Sequence, residues 1–344
     1  MNQDLAKTIE SNLETLEMAR QEIMSGVKSN CIKSAVIPFL ILGGFLFGFR
    51  ETLIPFFSRG NNNIVLYALI IVALVIILIL TTVFYSRGRK KFEKIYKDVF
   101  VRPLMAELFP ELAYNPETFV PEAHFKTSDL FTSDYSFYGG DDHFSGKIET
   151  TTVEFSELNV IKSNKRHSDT RSTSSNIFSG LFLHAELSET INNRILIDPL
   201  SLMFEKMQLP GFLMGMLKNF LPDYGKSVKT GVAKFDDNFK LYCEDEKEAL
   251  RVITPELIDK IITVTEKLKV INDAKMSGDT DPQSLLENGV FLKISIIQNS
   301  MYFAVYGYKL FDIKFSKSVL DCKDDLKQSL SFINMMTDIA EMAS

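Results

Sequence analysis

Asp141, Asp142 and His143 are consecutive, and two carboxylates beside an imidazole are residue types that bind a divalent metal or pass a proton between acid and base. Their spacing works against that chemistry. Neighbouring residues on a strand point to opposite faces, so Asp142 and His143 would not converge on one ion if the segment is extended. The preceding Gly139 and Gly140 offer a second reading, an acceptor-rich turn. His124, His167 and His184 have no metal-ligand spacing with one another or with Cys31, Cys243 or Cys322. No GxSxG, HExxH, GxGxxG or phosphate-loop motif occurs. The sequence thus assigns no catalytic residue, no metal ligand and no cofactor. A metal-dependent enzyme with a site near Asp141, Asp142 and His143 is the alternative to a binding role.

Composition narrows the partners. Of 344 residues, 46% are apolar and 24% charged, enough to build a core under an ordinary polar surface. A net charge of -6 supplies no concentrated cationic surface for a phosphate backbone, so nucleic acid is not an expected partner. Three cysteines without CxxC spacing argue against a disulfide framework or zinc knuckle.

The elements that must position any site begin with two apolar stretches. Residues 64–85 form a 22-residue run without a charge. At 1.5 Å per residue a helix of that length reaches about 33 Å, against about 30 Å of bilayer hydrocarbon. Residues 35–57 are also apolar, but Pro38, Pro55, Gly43, Gly44, Gly48 and the pair Arg50 and Glu51 interrupt them. Together they predict a two-helix transmembrane hairpin in which Arg50 snorkels to the far interface; a half-inserted first segment is the other reading. Gly44 and Gly48 form a GxxxG step, a candidate helix-packing site for the second helix or for another copy of the chain. The bilayer is therefore one expected partner and a homo-oligomer through these helices a second. Lys28 and Lys33 precede the hairpin and Arg87, Arg89, Lys90, Lys91 and Lys94 follow it, whereas the connecting loop has only Arg59. Basic flanks stay on the cytoplasmic side, which puts the N-terminus and the C-terminal domain in the cytoplasm.

Residues 1–34 read as an amphipathic helical arm, with Ile9, Leu13, Leu16, Ile23 and Val27 on one face. Either it forms a short coiled coil, interrupted by Arg20, or the stripe packs against the chain's own C-terminal domain. Residues 86–120 are expected to form a basic juxtamembrane helix and linker, broken at Pro110 and Pro116. Residues 121–344 are expected to fold as an α+β domain with a predominantly antiparallel sheet and flanking helices. Strand alternation covers 143–150, 152–160, 177–187 and 194–197; a strand pair is expected over 231–242 and a hairpin around 298–300. Polar residues 162–176 read as a mobile loop. Thr254 is a candidate N-cap for a helix from Pro255 to about residue 270, and a last helix over 323–342 buries Leu326, Leu330, Ile333 and Ile339. In the apolar stretch 199–222, Phe204, Met207, Phe212, Met214, Met216 and Phe220 form a candidate contact surface for the membrane or a partner, or a cap on the core.

Several short blocks in order carry a resemblance. They are Ser128-Asp129-Leu130-Phe131, Gly140-Asp141-Asp142 with Gly146, Phe155-Ser156-Glu157-Leu158, Ile177-Phe178-Ser179-Gly180-Leu181-Phe182, Phe239-Lys240-Leu241-Tyr242, Glu248-Ala249-Leu250-Arg251 and Thr254-Pro255. With them the chain resembles the bacterial family known as domain of unknown function 3137, over about residues 90–315. The resemblance implies a bacterial membrane protein with paired N-terminal helices and a cytoplasmic domain, and no established activity; the basic flanks make the inner membrane the expected location. After Tyr242, where a small polar residue and an acid are expected, this chain has Cys243 and Glu244. The function expected is a membrane-anchored interaction module that binds an unidentified protein partner or inner-leaflet lipid.

Overall fold

The computed structural model describes residues 3–48, 63–131, 133–164, 173–199, 225–276 and 291–341. The chain divides into two compact units: Met1–Pro103 with Ile313–Asp324, and Leu104–Asp312 with Asp325–Ser344.

The first unit is built on two long helices, α1 (Gln3–Gly48) and α2 (Asn63–Ile95), the latter passing into a π-helical turn, Tyr96–Val101. The predicted arm and the start of the first apolar stretch are one helix, because α1 runs through Pro38 without ending. Leu13, Leu16 and Val27 are buried, so the apolar stripe of the arm is used inside the chain. Gly88 marks the close approach of the two helices: a Cβ there would lie 2.4 Å from the Val27 side chain. Gly44 and Gly48, in contrast, face open space with nothing within 4 Å.

Among the described residues one helical stretch, Ile70–Leu108, is long and apolar enough to cross a membrane, and none of its apolar window is buried. Of the two spans expected over 35–57 and 64–85, the described residues thus show one candidate, in the second stretch. On the first stretch the described helix ends at Gly48, and residues 49–62 lie outside the described residues. What α1 does show is exposed apolar surface at Val36, Ile37, Leu40 and Phe47.

The second unit opens with α3 (Arg102–Leu108), whose first two residues belong to the other unit, and contains a nine-stranded sheet in the order β1-β2-β3-β4-β9-β8-β5-β7-β6. The strands are β1 (Leu112–Asn115), β2 (Phe137–Ile148), β3 (Thr151–Asn164), β4 (Thr173–Glu186), β5 (Ile195–Asp198), β6 (Ser227–Val228), β7 (Lys240–Tyr242), β8 (Leu292–Ile297) and β9 (Ser300–Tyr306). Every neighbouring pair is antiparallel. The α+β class with an antiparallel sheet and flanking helices is as expected. The last strands of the chain insert between β4 and β5, an order set by long-range pairing that local patterning does not encode.

Two expectations are corrected. The polar stretch 162–176 is not all loop: Lys162, Ser163 and Asn164 pair with Ser175, Ser174 and Thr173, because a ladder uses backbone groups and needs no apolar side chain. Residues 165–172 lie outside the described residues. The strand pair over 231–242 is instead a short helix, α5 (Ala233–Asp236), followed by β7, since the Asp236 carboxylate accepts from Thr230 N and Oγ1 and from Gly231 N and folds the chain back locally.

Other elements match their signals. The hairpin is β8–β9, and Thr254 Oγ1 accepts from Leu257 N at the start of α7 (Pro255–Met276), which follows α6 (Glu246–Val252). The last helix, α8 (Lys323–Glu341), buries Leu326, Ile333 and Ile339, with Leu330 half-buried. Lys260 Nζ donates to the Asp338 carbonyl at 3.0 Å, tying α7 to α8, and Phe311 N donates to Ser329 Oγ. Phe311 packs on Phe144, which stacks on Phe155, so these helices lie toward the sheet face of Phe155. The opposite face has its own cluster of Leu158, Val160, Phe178, Phe182 and Tyr302 under Phe125 of a short helix, α4 (Glu122–Thr127).

Candidate functional site

Alternation along the strands puts a polar row on the face under α4. Glu154 of β3 stands directly opposite His184 of β4, and His184 stands opposite Tyr302 of β9. His143 enters from β2, where the register slips between Asp141 and Phe144. A bulge of this kind re-aims a side chain, and here it is accompanied by Asp142 at φ 56°. His124 comes down from α4. Phe125 anchors that helix by packing on Phe178 and Phe182, and the preceding loop is pinned by Val120 N donating to Ser156 Oγ at 2.9 Å.

The three imidazoles converge on one carboxylate. His124 Nε2 and His184 Nδ1 lie 3.1 and 3.4 Å from Glu154 Oε1, and His143 Nε2 lies 3.1 Å from Oε2. The outer ring nitrogens are also engaged: His184 Nε2 is 3.3 Å from Ser300 Oγ, and His143 Nδ1 is 3.3 Å from Thr118 Oγ1. The rings of His124 and His184 stack at 4.0 Å, and His184 stacks on Tyr302 at 5.1 Å. Burial by itself would raise the Glu154 carboxyl, but hydrogen bonds with His143 and His184 and the charges available on His124 and His184 hold it at about 2. Burial pushes His124 below its ordinary value, and the neighbouring His184 adds to that while Glu154 and Glu186 oppose it. The arrangement offers an ionised carboxylate and imidazole nitrogens to one point, a donor set for a borderline divalent cation.

Asp142 does not join this group. It turns to the other face, where it is buried and accepts a hydrogen bond from the Tyr114 hydroxyl. Asp141, Asp142 and Glu157 form a second close carboxylate group on that side, and Glu157 accepts from Leu310 N. Asp142 and His143 therefore do not converge, as alternation along a strand requires, whereas Asp141 and Asp142 stay together with Glu157 in a group that could itself hold a cation. Gly139 and Gly140 lie inside β2 and make no turn. Along the same row as His184, Ser295 of β8 is buried with no hydrogen-bond partner among the described residues, and Lys293, also buried, faces Asp198 at 3.8 Å. These read as core polar groups.

Sequence reasoning missed the cluster because its members are far apart in the chain; the usable signal was that the chain has only 4 histidines and a strand-phase Glu154. His167 and the candidate surface Phe204, Met207, Phe212, Met214, Met216 and Phe220 lie outside the described residues. Lys28, Lys33, Arg87, Arg89, Lys90, Lys91 and Lys94 sit on α1 and α2 in the first unit.

No curated protein matches the chain. A crystal structure of the mycobacterial trehalose monomycolate transport factor A aligns at 8% identity over 70% of this chain and 93% of that chain, with a TM-score of 0.31, too distant to carry a functional argument. A family model described as protein of unknown function (DUF3137) matches residues 176–278, which span β4, the short strands β5 to β7 and α7. That match ties residues 176–278, the segment that carries Phe178 and Phe182 of the cluster under α4 and the Thr254 cap of α7, to the DUF3137 family of proteins of unknown function.

Proposed function

We propose that this chain is a bacterial inner-membrane protein whose N-terminus and sheet-bearing unit are cytoplasmic, and that it works as an anchored interaction module. The observation that carries the reading is the helical stretch Ile70–Leu108, whose apolar window has no buried share and whose charge-free part, ending at Tyr85, is followed along α2 by Arg87, Arg89, Lys90, Lys91 and Lys94. A helix apolar on all faces with nothing covering it calls for lipid as its solvent, and the basic run sets the side on which the chain continues. The exposed apolar residues of α1 extend the same surface, so the first stretch joins the second in the bilayer as a hairpin. Gly44 and Gly48, open to approach, are where a second copy would seat. The sheet-bearing unit then presents its surface at the inner leaflet to a protein partner or to anionic headgroups.

The test has two arms. Alkaline carbonate should leave the protein in the membrane pellet, and protease added to intact spheroplasts should leave the C-terminal portion uncut while cutting it in opened ones. Extraction by carbonate, or cleavage in intact spheroplasts, would overturn the anchoring. For the interaction role, crosslinking in cells should yield reproducible partners; none, together with no binding to anionic vesicles, would remove it.

A further inference from the structure

We propose that His124, His184 and Glu154 form a three-ligand site for a borderline divalent transition-metal ion of the zinc class, with His143 orienting the carboxylate from behind and one coordination position left open.

Distances support this assignment. At a metal–ligand length of about 2.0–2.1 Å, the ligand atoms of a tetrahedral site lie about 3.3 Å apart. His124 Nε2 and His184 Nδ1 already lie 3.1 and 3.4 Å from Glu154 Oε1, and all three donor atoms fall within 4.8 Å of one another. An imidazole binds an ion in its own ring plane, so the two rings, now stacked 4.0 Å apart at 23°, would have to turn until their planes meet at it; His124, the more exposed of the two, is the one free to do so. The separations alone would equally suit hydrogen bonds, so a second feature decides. Metal-binding histidines use one nitrogen on the ion and hold the other on an outer group that fixes the ring. His184 does this: Nδ1 faces the site while Nε2 meets Ser300 Oγ at 3.3 Å, and Tyr302 stacks on the ring. Glu154 shows the same division. Oε1 faces the two imidazoles, and Oε2 is taken by His143 Nε2 at 3.1 Å, with His143 Nδ1 meeting Thr118 Oγ1. That leaves Glu154 prepared to bind through one oxygen.

Exposure is graded in the same sense. The His184 side chain is 7% exposed, Glu154 16% and His124 34%, so the site is rigid at its floor and open at the His124 side. Two imidazoles and one carboxylate favour zinc, cobalt or nickel over magnesium and calcium, which take oxygen ligands. Three protein ligands with a fourth position for water are the pattern of an exchangeable or reactive site, whereas purely structural zinc is closed by four. The site stands on the sheet-bearing unit alone and does not depend on the membrane reading.

The experiment uses the full-length protein in detergent, stripped with chelator and passed through desalting. Zinc added at equimolar level should stay bound at one equivalent by elemental analysis, and cobalt(II) should give the strong visible absorption of a four-coordinate ion. Glu154→Gln and His124→Ala should each abolish both signals, and His124, being partly exposed, can be removed without opening the core. Ser300→Ala, which removes the hydroxyl on the outer nitrogen of His184, should weaken binding by about 10- to 100-fold. His167→Ala controls for adventitious imidazole binding and should match wild type. Substoichiometric zinc in wild type, or Glu154→Gln and His124→Ala variants that bind like wild type while melting like it, would overturn the proposal. So would an octahedral, weakly absorbing cobalt spectrum.

Discussion

Gly180→Ala is expected to destabilise the sheet-bearing unit by at least about 4 kcal/mol, a size confined to a few mechanisms of which backbone collision is one. Gly180 sits mid-way along β4 at φ 155°, and a Cβ there would lie 2.0 Å from the Val305 carbonyl oxygen. The obstacle is main chain, so no rotamer change relieves it; β4 and β9 would have to separate next to Phe178, Phe182 and Tyr306. With about 2–4 °C lost per kcal/mol in a unit of this size, the melting temperature should fall by about 10 °C or the protein should aggregate. Gly26→Ala is the matched control. It lies within α1 with nothing within 4 Å of its would-be Cβ, and should gain up to about 1 kcal/mol from helix propensity. Thermal unfolding of both variants in detergent measures the contrast, and a Gly180→Ala variant that melts with wild type would sink the close-approach argument.

Gly180 also explains why the family resemblance speaks about fold. Gly140 and Gly146 in another of its blocks approach the Glu157 and Glu111 carbonyl oxygens in the same way. Ser156 pins the loop before α4, Phe155 stacks on Phe144, and Glu248 accepts from Asn192 N and Asn193 N. The blocks position strands, turns and a cap. None of the cluster residues His124, His143, Glu154 or His184 belongs to them.

What was legible followed locality. Thr254 with Pro255, the β8–β9 hairpin and the amphipathic α8 are specified within a few residues, and each formed where its signal lay. The failures are of two physical kinds. Where backbone pairing competes with composition, pairing prevailed: Gly139 and Gly140 continue β2, and Lys162 to Asn164 continue β3. Where a contact joins distant parts of the chain, the sequence holds no local trace of it. Glu154 and His184 are 30 residues apart and meet only because β3 and β4 adopt one register; one slip would turn Glu154 to the opposite face. The insertion of β9 beside β4 then brings Ser300 and Tyr302 to His184 from 116 residues away, in the case of Ser300.

The same lesson governs the first unit, where Glu17→Ala should release Ile313–Asp324. Glu17 binds Arg20 through both oxygens at 2.9 and 2.6 Å, and Oε2 also accepts from Val319 N at 2.9 Å. Arg20 Nη1 donates to the Phe315 carbonyl at 3.1 Å. The arginine that interrupts the apolar stripe of the arm is thus half of a clamp on a segment about 300 residues away, and Glu17 caps its 3-10 turn, Val319–Cys322. The Arg20 hydrogen bond is the main cause holding the Glu17 carboxyl at about 2 against an ordinary 4.5; burial opposes it, and Val319 N, Gln21 and Ser318 assist. That gap corresponds to about 3 kcal/mol. Because the folded value is the lower one, the contribution is complete above about pH 4.5 and is lost as pH falls from there toward 2. At neutral pH, Glu17→Ala leaves Arg20 and the Val319 amide without their acceptor, which should cost a similar amount and raise hydrogen exchange across residues 313–324 about a hundredfold. Glu17→Gln separates charge from shape: it keeps an acceptor for Val319 N, so exchange should rise less, but the acid-dependent loosening between pH 4.5 and 2 should vanish. Exchange in this segment that is unchanged by Glu17→Ala, or acid loosening that persists in Glu17→Gln, would show that the segment is held by Phe315 packing on Tyr85 and Phe92 and owes nothing to the clamp.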